Sequence, residues 1–211
     1  MKDIAIYGAG GFGREIACMI RNRLPEWNII GFFDDGKPKG QQVLSFGPVL
    51  GGIDDLNAWP NVIAIAIAIG NPKTVKNLVE KIKNPNICYP NIIHPNFEEM
   101  DPDTFAIGKG NIIMGGCRVS CNVSMGDFNL LNGAVIIGHD AMVGSYNSCM
   151  PAVRISGEVK IGDCNFFGVS SIVLQQIKIG DGIKLGAGSV LMNKPRNGQL
   201  YMGNPARKTD F

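Results

Sequence analysis

Only two histidines occur among the 211 residues, His94 and His139, and the second stands directly before an acid, Asp140. An imidazole titrates near neutral pH, so it can take a proton from an attacking amine or hydroxyl. A carboxylate at its side can orient the ring and favour the imidazolium that forms. Acyl transfer to an amine or a hydroxyl needs a base of this kind. The bland alternative is a solvated surface pair without chemistry. His94, followed by Pro95, reads as a structural boundary residue.

What must position His139 is a repeat. From Ile107 to Leu191 every sixth residue is apolar: fifteen positions in one phase, among them Val119, Leu131, Ile137, Cys149, Ile155, Phe167 and Val173. Gly follows directly in eight of them, at 108, 126, 138, 144, 162, 168, 180 and 186. A small or aliphatic residue usually stands four places on, as at Val123, Val135, Ala141, Val153, Val159, Ser171, Ile177 and Ser189. A period of six fits neither an α-helix nor an alternating hairpin sheet; it is the signature of a parallel β-helix. Three hexapeptides make one triangular coil, so each strand bonds to the strand eighteen residues away, about 4.8 Å above or below. Gly directly after an inward residue suggests a tight corner there.

That period has a chemical consequence. His139 lies two places past the inward Ile137, so its side chain falls on the outer surface near a corner. One coil on is Gly157, one coil back Cys121, and two coils on Gln175. A glycine stacked against His139 leaves a backbone N–H exposed, a donor able to hold a carbonyl as charge builds on its oxygen. Two histidines are too few for a three-histidine zinc site, and no metal is expected.

The first ninety residues are of another kind. Ile4–Tyr7 reads as a buried strand running into Gly8-Ala9-Gly10-Gly11-Phe12-Gly13, then a helix with Ile16, Ala17, Ile20 and Leu24 on one side. Glycines between strand and helix bring backbone N–H groups and a helix N-terminus to a phosphate. Ile29–Phe33 is a second strand ending in Asp34-Asp35, where a ribose-hydroxyl partner is expected. Val62–Ile69 is a third strand closing on Gly70-Asn71-Pro72, Val75–Ile82 a helix and Ile87–Ile93 a fourth strand. The expectation is a Rossmann-like α/β domain over 1–92 and a β-helix domain with a C-terminal tail over 93–211.

Composition limits the partners. Net charge is +2 and the lysines are scattered, which gives no reason to expect nucleic acid. The longest apolar run, Val62–Ile69, is too short to span a bilayer. The start, MKDIAIYGAG, lacks the regions of a signal peptide. Six cysteines without metal-ligand pairing read as buried free thiols of a cytoplasmic protein.

The run Asn132-Gly133-Ala134-Val135, the segment Gly138-His139-Asp140, the repeat itself and the closing Gly203-Asn204-Pro205-Ala206 resemble the hexapeptide acyltransferases. Together with Gly8–Gly13 and Phe33-Asp34-Asp35, nearly the whole chain is similar to the NeuD/PglD-type sugar acyltransferases. The resemblance implies a left-handed β-helix, a homotrimer with active sites between neighbouring subunits, acetyl-CoA as co-substrate and a nucleotide-linked sugar as acceptor. It makes His139 the general base and Asp140 its partner. Gly157, with Val169, Ala187 and Ser148, is assigned to the coenzyme, and Asn132 to the acceptor sugar. Gly11, Phe12, Gly13, Asp34, Asp35 and Gly70 are assigned to the nucleotide. Relatives often carry a second histidine nine residues after the base, where this chain has Ser148. A non-catalytic trimer that binds a nucleotide sugar is the competing reading, and a small-molecule acyltransferase whose first domain merely packs is a third.

Overall fold

Strand β1 (Lys2–Tyr7) is buried from Ile4 to Tyr7 because it lies in the middle of a parallel sheet, where both faces are covered. The computed structural model describes residues 1–209, so the last two positions of the expected C-terminal tail lie outside the described residues. After β1 come α1 (Gly11–Arg23), β2 (Trp27–Phe33), β3 (Val49–Gly51), α2 (Ile53–Asn57), β4 (Ile63–Ile67), α3 (Pro72–Lys81) and β5 (Ile87–Cys88). The strand order is β3-β2-β1-β4-β5, all parallel, with the order reversing between β1 and β4. Helix α1 buries Ile16, Ala17 and Ile20 of the expected stripe, with Met19 in addition, while Leu24, also buried, caps its C-terminal end. The expected strand Ile87–Ile93 is broken by the exposed or half-exposed run Tyr89-Pro90-Asn91, and Ile92–Ile93 forms a separate strand outside this sheet. Strand β3 and helix α2, which are only three and five residues long, are additions to the sequence reading.

The chain divides into two units, Met1–Gly70 with Thr74–Pro95, and Asn71–Lys73 with the chain from Asn96 onward. The second is a left-handed parallel β-helix with three faces. Face one carries Arg118–Val119, Ile136–Ile137, Arg154–Ile155, Ile172–Val173 and Val190–Leu191, with Glu98–Glu99 below them. Face two runs from Phe105–Ile107 to Lys178–Ile179, and face three from Ile112–Ile113 through Ser148–Cys149 to Lys184–Leu185. Neighbouring strands pair in register at a spacing of eighteen, as Arg118↔Ile136 and Ile136↔Arg154. From Ile113 onward every residue of the apolar column is buried; Ile107, near the end of the stack, is half-buried. Each buried aliphatic contributes about 1.5–3 kcal/mol before entropy is counted.

The glycines after the inward residues do a different job from the one their position suggests. The tight corner lies two residues further on, where Asn122, Phe128, Ala134, Asp140, Tyr146, Ala152, Glu158, Cys164, Ser170 and Gln176 all have φ between 54° and 65°. Gly138 has no such φ; a Cβ there would fall 2.6 Å from the Gly157 nitrogen of the next coil. These glycines permit close stacking. The left-handed corners, unfavourable for most residues, are pinned by bonds to the coil below, such as Asp140 N–H to the Cys121 carbonyl at 3.0 Å and Glu158 N–H to the His139 carbonyl at 2.8 Å.

A polar column runs inside the stack. Asn111, Asn129, Asn147 and Asn165 are buried, and each side-chain carbonyl accepts the backbone N–H one coil on, ending at Ile183 N–H. Amide nitrogens of the same column bond to the preceding Asn carbonyl at 2.9–3.1 Å. At the far end, Leu200–Met202 adds to face three in parallel and Arg207–Thr209 turns back against it in antiparallel.

The thiols depart from expectation. No disulfide is present among the described residues, but only Cys117 and Cys149 are buried; Cys18, Cys88 and Cys121 are exposed and Cys164 is half-buried. Burial pushes the Cys149 thiol up to about 12, so it stays neutral inside the stack.

Replacing Asn147 by Ala leaves the Asn165 backbone N–H buried without its acceptor. Urea unfolding of Asn147→Ala is expected to show a loss of about 1–3 kcal/mol for that group alone.

Candidate active site

His139 sits at the corner between faces one and two, two residues past the buried Ile137. Its Nδ1 lies 2.7 Å from Asp140 Oδ2. The other Asp140 oxygen accepts a bond from Asn122 Nδ2 at 2.6 Å. The Asn122 amide first, and His139 second, hold the Asp140 carboxyl below the usual carboxylate range. Side-chain exposure of His139 and Asp140 is 48% and 47%. At that exposure an ion pair adds little to stability, so the pair matters for where it holds the ring. With Nδ1 turned to the acid, Nε2 is the nitrogen left to accept a proton. Main-chain bonds fix the corner from both sides, through Asp140 N–H below and the His139 carbonyl above.

Gly157 stacks on the ring as the eighteen-residue period requires. A Cβ on Gly157 would come within 2.5 Å of His139 Nε2, so only glycine leaves the imidazole where it is. Gly157 is buried, and its N–H donates to nothing among the described residues. Above Asp140 in the stack is Glu158, whose carboxylate is held by Gln175 Nε2 at 2.8 Å and by Gln176 Nε2 at 3.1 Å. These two amides keep Glu158 below the usual carboxylate range. Beside this corner lies an open groove of about 570 Å³, whose lining includes Asn122, Asp140, Met142, Glu158, Lys160 and Lys178. Asn122, Glu158 and Gln176 were missed by the sequence reading. Their signal was available: they share Asp140's place in successive coils. No group of three or more metal-ligating side chains forms among the described residues.

The residues assigned to coenzyme and sugar lie elsewhere on the single chain. Asn132, Val169 and Ala187 fall at the corner between faces three and one, Asn132 half-buried and the other two exposed. The Asn132 side-chain oxygen accepts Gly133 N–H at 2.8 Å. Ser148 is the other residue that the resemblance assigns to the coenzyme. It is 3% exposed, in register between Leu130 and Phe166 on face three, at an outward position where Ile112 and Leu130 are buried as well. One chain therefore brings together His139, Asp140 and Gly157, and leaves Asn132, Ser148, Val169 and Ala187 away from them.

In the first unit, Gly8–Gly13, Asp34 and Asp35, and Gly70 converge at the C-terminal edge of the sheet, the β1/β4 crevice where such folds bind ligands. Gly13 must be glycine, since a Cβ would overlap the Gly8 carbonyl oxygen. Gly10 and Gly70 face open space, and Gly11 nearly so. Helix α1 carries no side-chain cap and no acid in its first turn, which leaves the N–H groups at Gly11, Phe12 and Gly13 for an anion. The two acids are more occupied than the sequence implied. Asp34 accepts Ala9 N–H at 2.7 Å and Gly36 N–H at 2.9 Å. Asp35 accepts the Tyr7 hydroxyl at 2.7 Å and Ile53 N–H at 2.8 Å, which braces α2. Burial, then Asp35, raises the Tyr7 phenol well above its ordinary value. Ribose hydroxyls would have to share these oxygens.

Fold and site together define a hexapeptide-repeat β-helix protein with a Rossmann-like domain and an exposed, glycine-covered His–Asp pair. Residues 3–82 match the PglD N-terminal domain. The acetyltransferase domain of PglB from Neisseria gonorrhoeae FA1090, in complex with acetyl coenzyme A, superposes with a TM-score of 0.89 at 28% identity, covering 99% of each chain. WeeI from Acinetobacter baumannii AYE gives 0.89 at 27%, covering 99% of this chain and 100% of its own. A mutant of perosamine N-acetyltransferase from Caulobacter crescentus, in complex with CoA and GDP-perosamine, shares the fold at 0.89 and 22% identity, covering 100% and 98%. No curated protein sequence matches the chain. The N-terminal domain is therefore similar to the PglD N-terminal domain, and the whole-chain fold to that of the PglB acetyltransferase domain and WeeI.

Gly157→Ala is expected to drive the His139 ring off Asp140. The histidine ring resonances of the variant should change while its melting temperature stays within a few degrees of the wild type.

Proposed function

We propose that the protein is an acetyl-CoA-dependent acyltransferase that acetylates an amino or hydroxyl group on a nucleotide-linked sugar. The acceptor attacks the thioester carbonyl as His139 Nε2 takes its proton, so a C–N or C–O bond forms. Asp140 holds the Nδ1–H and offsets the charge of the imidazolium. The Gly157 N–H donates to the oxyanion. Collapse breaks the C–S bond, and the imidazolium returns the proton to the departing thiolate. The observation that carries this reading is the stacking of Gly157 over His139: a Cβ at 157 would meet Nε2 at 2.5 Å, so only glycine leaves the ring beside Asp140, and the Gly157 N–H donates to nothing among the described residues. A main-chain donor left without a protein partner one coil above the base is available to a developing oxyanion.

The acyl donor is supported by the PglB acetyltransferase domain, which is described with acetyl coenzyme A at 28% identity. The nucleotide-linked acceptor is supported by the PglD N-terminal domain and by the uncapped, glycine-lined start of α1. A homotrimer fits the division of residues between two corners. Asn132, Val169 and Ala187 of a neighbouring copy would complete the His139 corner with surface for sugar and coenzyme, while Gly11–Gly13, Asp34, Asp35 and Gly70 hold the nucleotide. No helix is long and apolar enough to cross a membrane among the described residues, and we place the reaction in the cytoplasm, where acetyl-CoA is available. The competing reading, a trimer that binds a nucleotide sugar without chemistry, has no use for the His139–Gly157 arrangement.

Thiol release from acetyl-CoA, followed across a panel of nucleotide amino sugars, tests the assignment. One acceptor should support turnover, and His139→Ala should lower kcat by about 10²–10⁴. Wild-type turnover in His139→Ala would remove the base; binding of a nucleotide sugar without binding of coenzyme A would favour the non-catalytic trimer. Light scattering should give three times the mass of the chain.

A further inference from the structure

The Asp140 carboxylate is held at both oxygens, and only one of its partners is the histidine. Oδ2 faces His139 Nδ1 at 2.7 Å, and Oδ1 accepts from Asn122 Nδ2 at 2.6 Å. Asn122 stands one coil below Asp140, in the same left-handed corner conformation, φ 54° against 57°. It is braced in turn: its own N–H donates to Thr104 Oγ1 at 2.8 Å, and that hydroxyl donates to Asp101 Oδ2 at 2.7 Å. Asp140 is half-exposed, so without a second anchor its carboxylate could rotate about χ2 and hydrogen-bond to water. A terminal carboxylate torsion is soft; two partners on opposite oxygens remove that freedom.

We propose that Asn122 is a positioning residue for the reaction, fixing the plane of the Asp140 carboxylate so that the proton of the neutral imidazole resides on Nδ1 and the lone pair on Nε2. The inference rests on His139 acting as the base and adds a member to the arrangement. Asn122 touches neither acceptor nor coenzyme in this scheme; it acts through Asp140. The amide is suited to the task because it donates without adding charge next to the acid. Asparagine also adopts the left-handed corner more readily than most residues. Glu158, the other acid near His139, is tied to Gln175 and Gln176 and does not compete for the ring nitrogen.

The test uses the full-length protein. Because only two histidines occur, ¹⁵N-histidine labelling yields two ring systems, and His139→Ala identifies which belongs to His139. In the wild type the neutral His139 ring should be chiefly the Nδ1–H tautomer. In Asn122→Ala it should become a mixture in which that tautomer is no longer the major one. The stack already carries alanine in this conformation at Ala134 and Ala152, so the variant should fold, which melting will show. Asn122→Asp, of the same shape but without a donor when ionised, should behave likewise. With acetyl-CoA and an acceptor found in the panel, Asn122→Ala should lower kcat about tenfold and leave both KM values within about twofold. In an Asp140→Ala background the same change should alter kcat by less than about twofold, because its route is already gone. A wild-type tautomer in Asn122→Ala, or a tenfold loss that persists in the Asp140→Ala background, overturns the role of Asn122 while leaving the base in place. Full turnover in His139→Ala overturns both.

Discussion

Strands eighteen residues apart are held in register by main-chain hydrogen bonds, and every functional statement about the β-helix depends on that register. It converts sequence positions 122, 140, 158 and 176 into one column and 139 and 157 into vertical neighbours. The inward apolar residues supply the driving force, but they do not by themselves choose which coil meets which. That choice is reinforced by the Asn111–Asn129–Asn147–Asn165 column. A slip of one hexapeptide would rotate each Asn onto another face and strand its donors in an apolar interior, a cost the aliphatics alone would not impose.

The same register explains how an exposed histidine can be placed with some accuracy. Surface side chains usually trade position for freedom, yet His139 is confined by Asp140 at its Nδ1, by Gly157 against its face, and by main-chain bonds on both sides of the corner. Rigidity here comes from a repetitive scaffold that cannot move one rung without its neighbours. The N-terminal domain uses a different device: carboxylates at the end of β2 reach across to the glycine loop and to α2, so the loop is shaped before any ligand arrives.

Much of this was legible in the residues. The six-residue phase gave the β-helix, and its triple gave the meeting of His139 with Gly157. The strand–glycine–helix run gave the first domain. Other features were hidden for physical reasons. The glycines at 138 and 144 look like corner residues, but the corners are at Asp140 and Tyr146, whose strain is met by hydrogen bonds that no local pattern reveals. Strand β3 and helix α2 are too short to show periodicity. Asp34 and Asp35 stand where ribose acceptors are expected, and their use as braces depends on loops distant in sequence. Ser148 sits at an outward position, and its burial is a property of the folded chain. The Asn122–Asp140 bond becomes visible only when the sequence is written in rows of eighteen and columns are read instead of rows.

A coil stacked on a coil is, in principle, a template without an end, since the last strand presents unpaired amides to any chain of like period. Here Leu200–Met202 occupies the growing side of face three and Arg207–Thr209 reverses direction across it. An incoming parallel strand would meet an antiparallel one, out of phase with its own hydrogen-bonding groups and lined with Arg207 and Lys208. The reversal acts as a stopper at the open edge of face three, so that further strands do not add there.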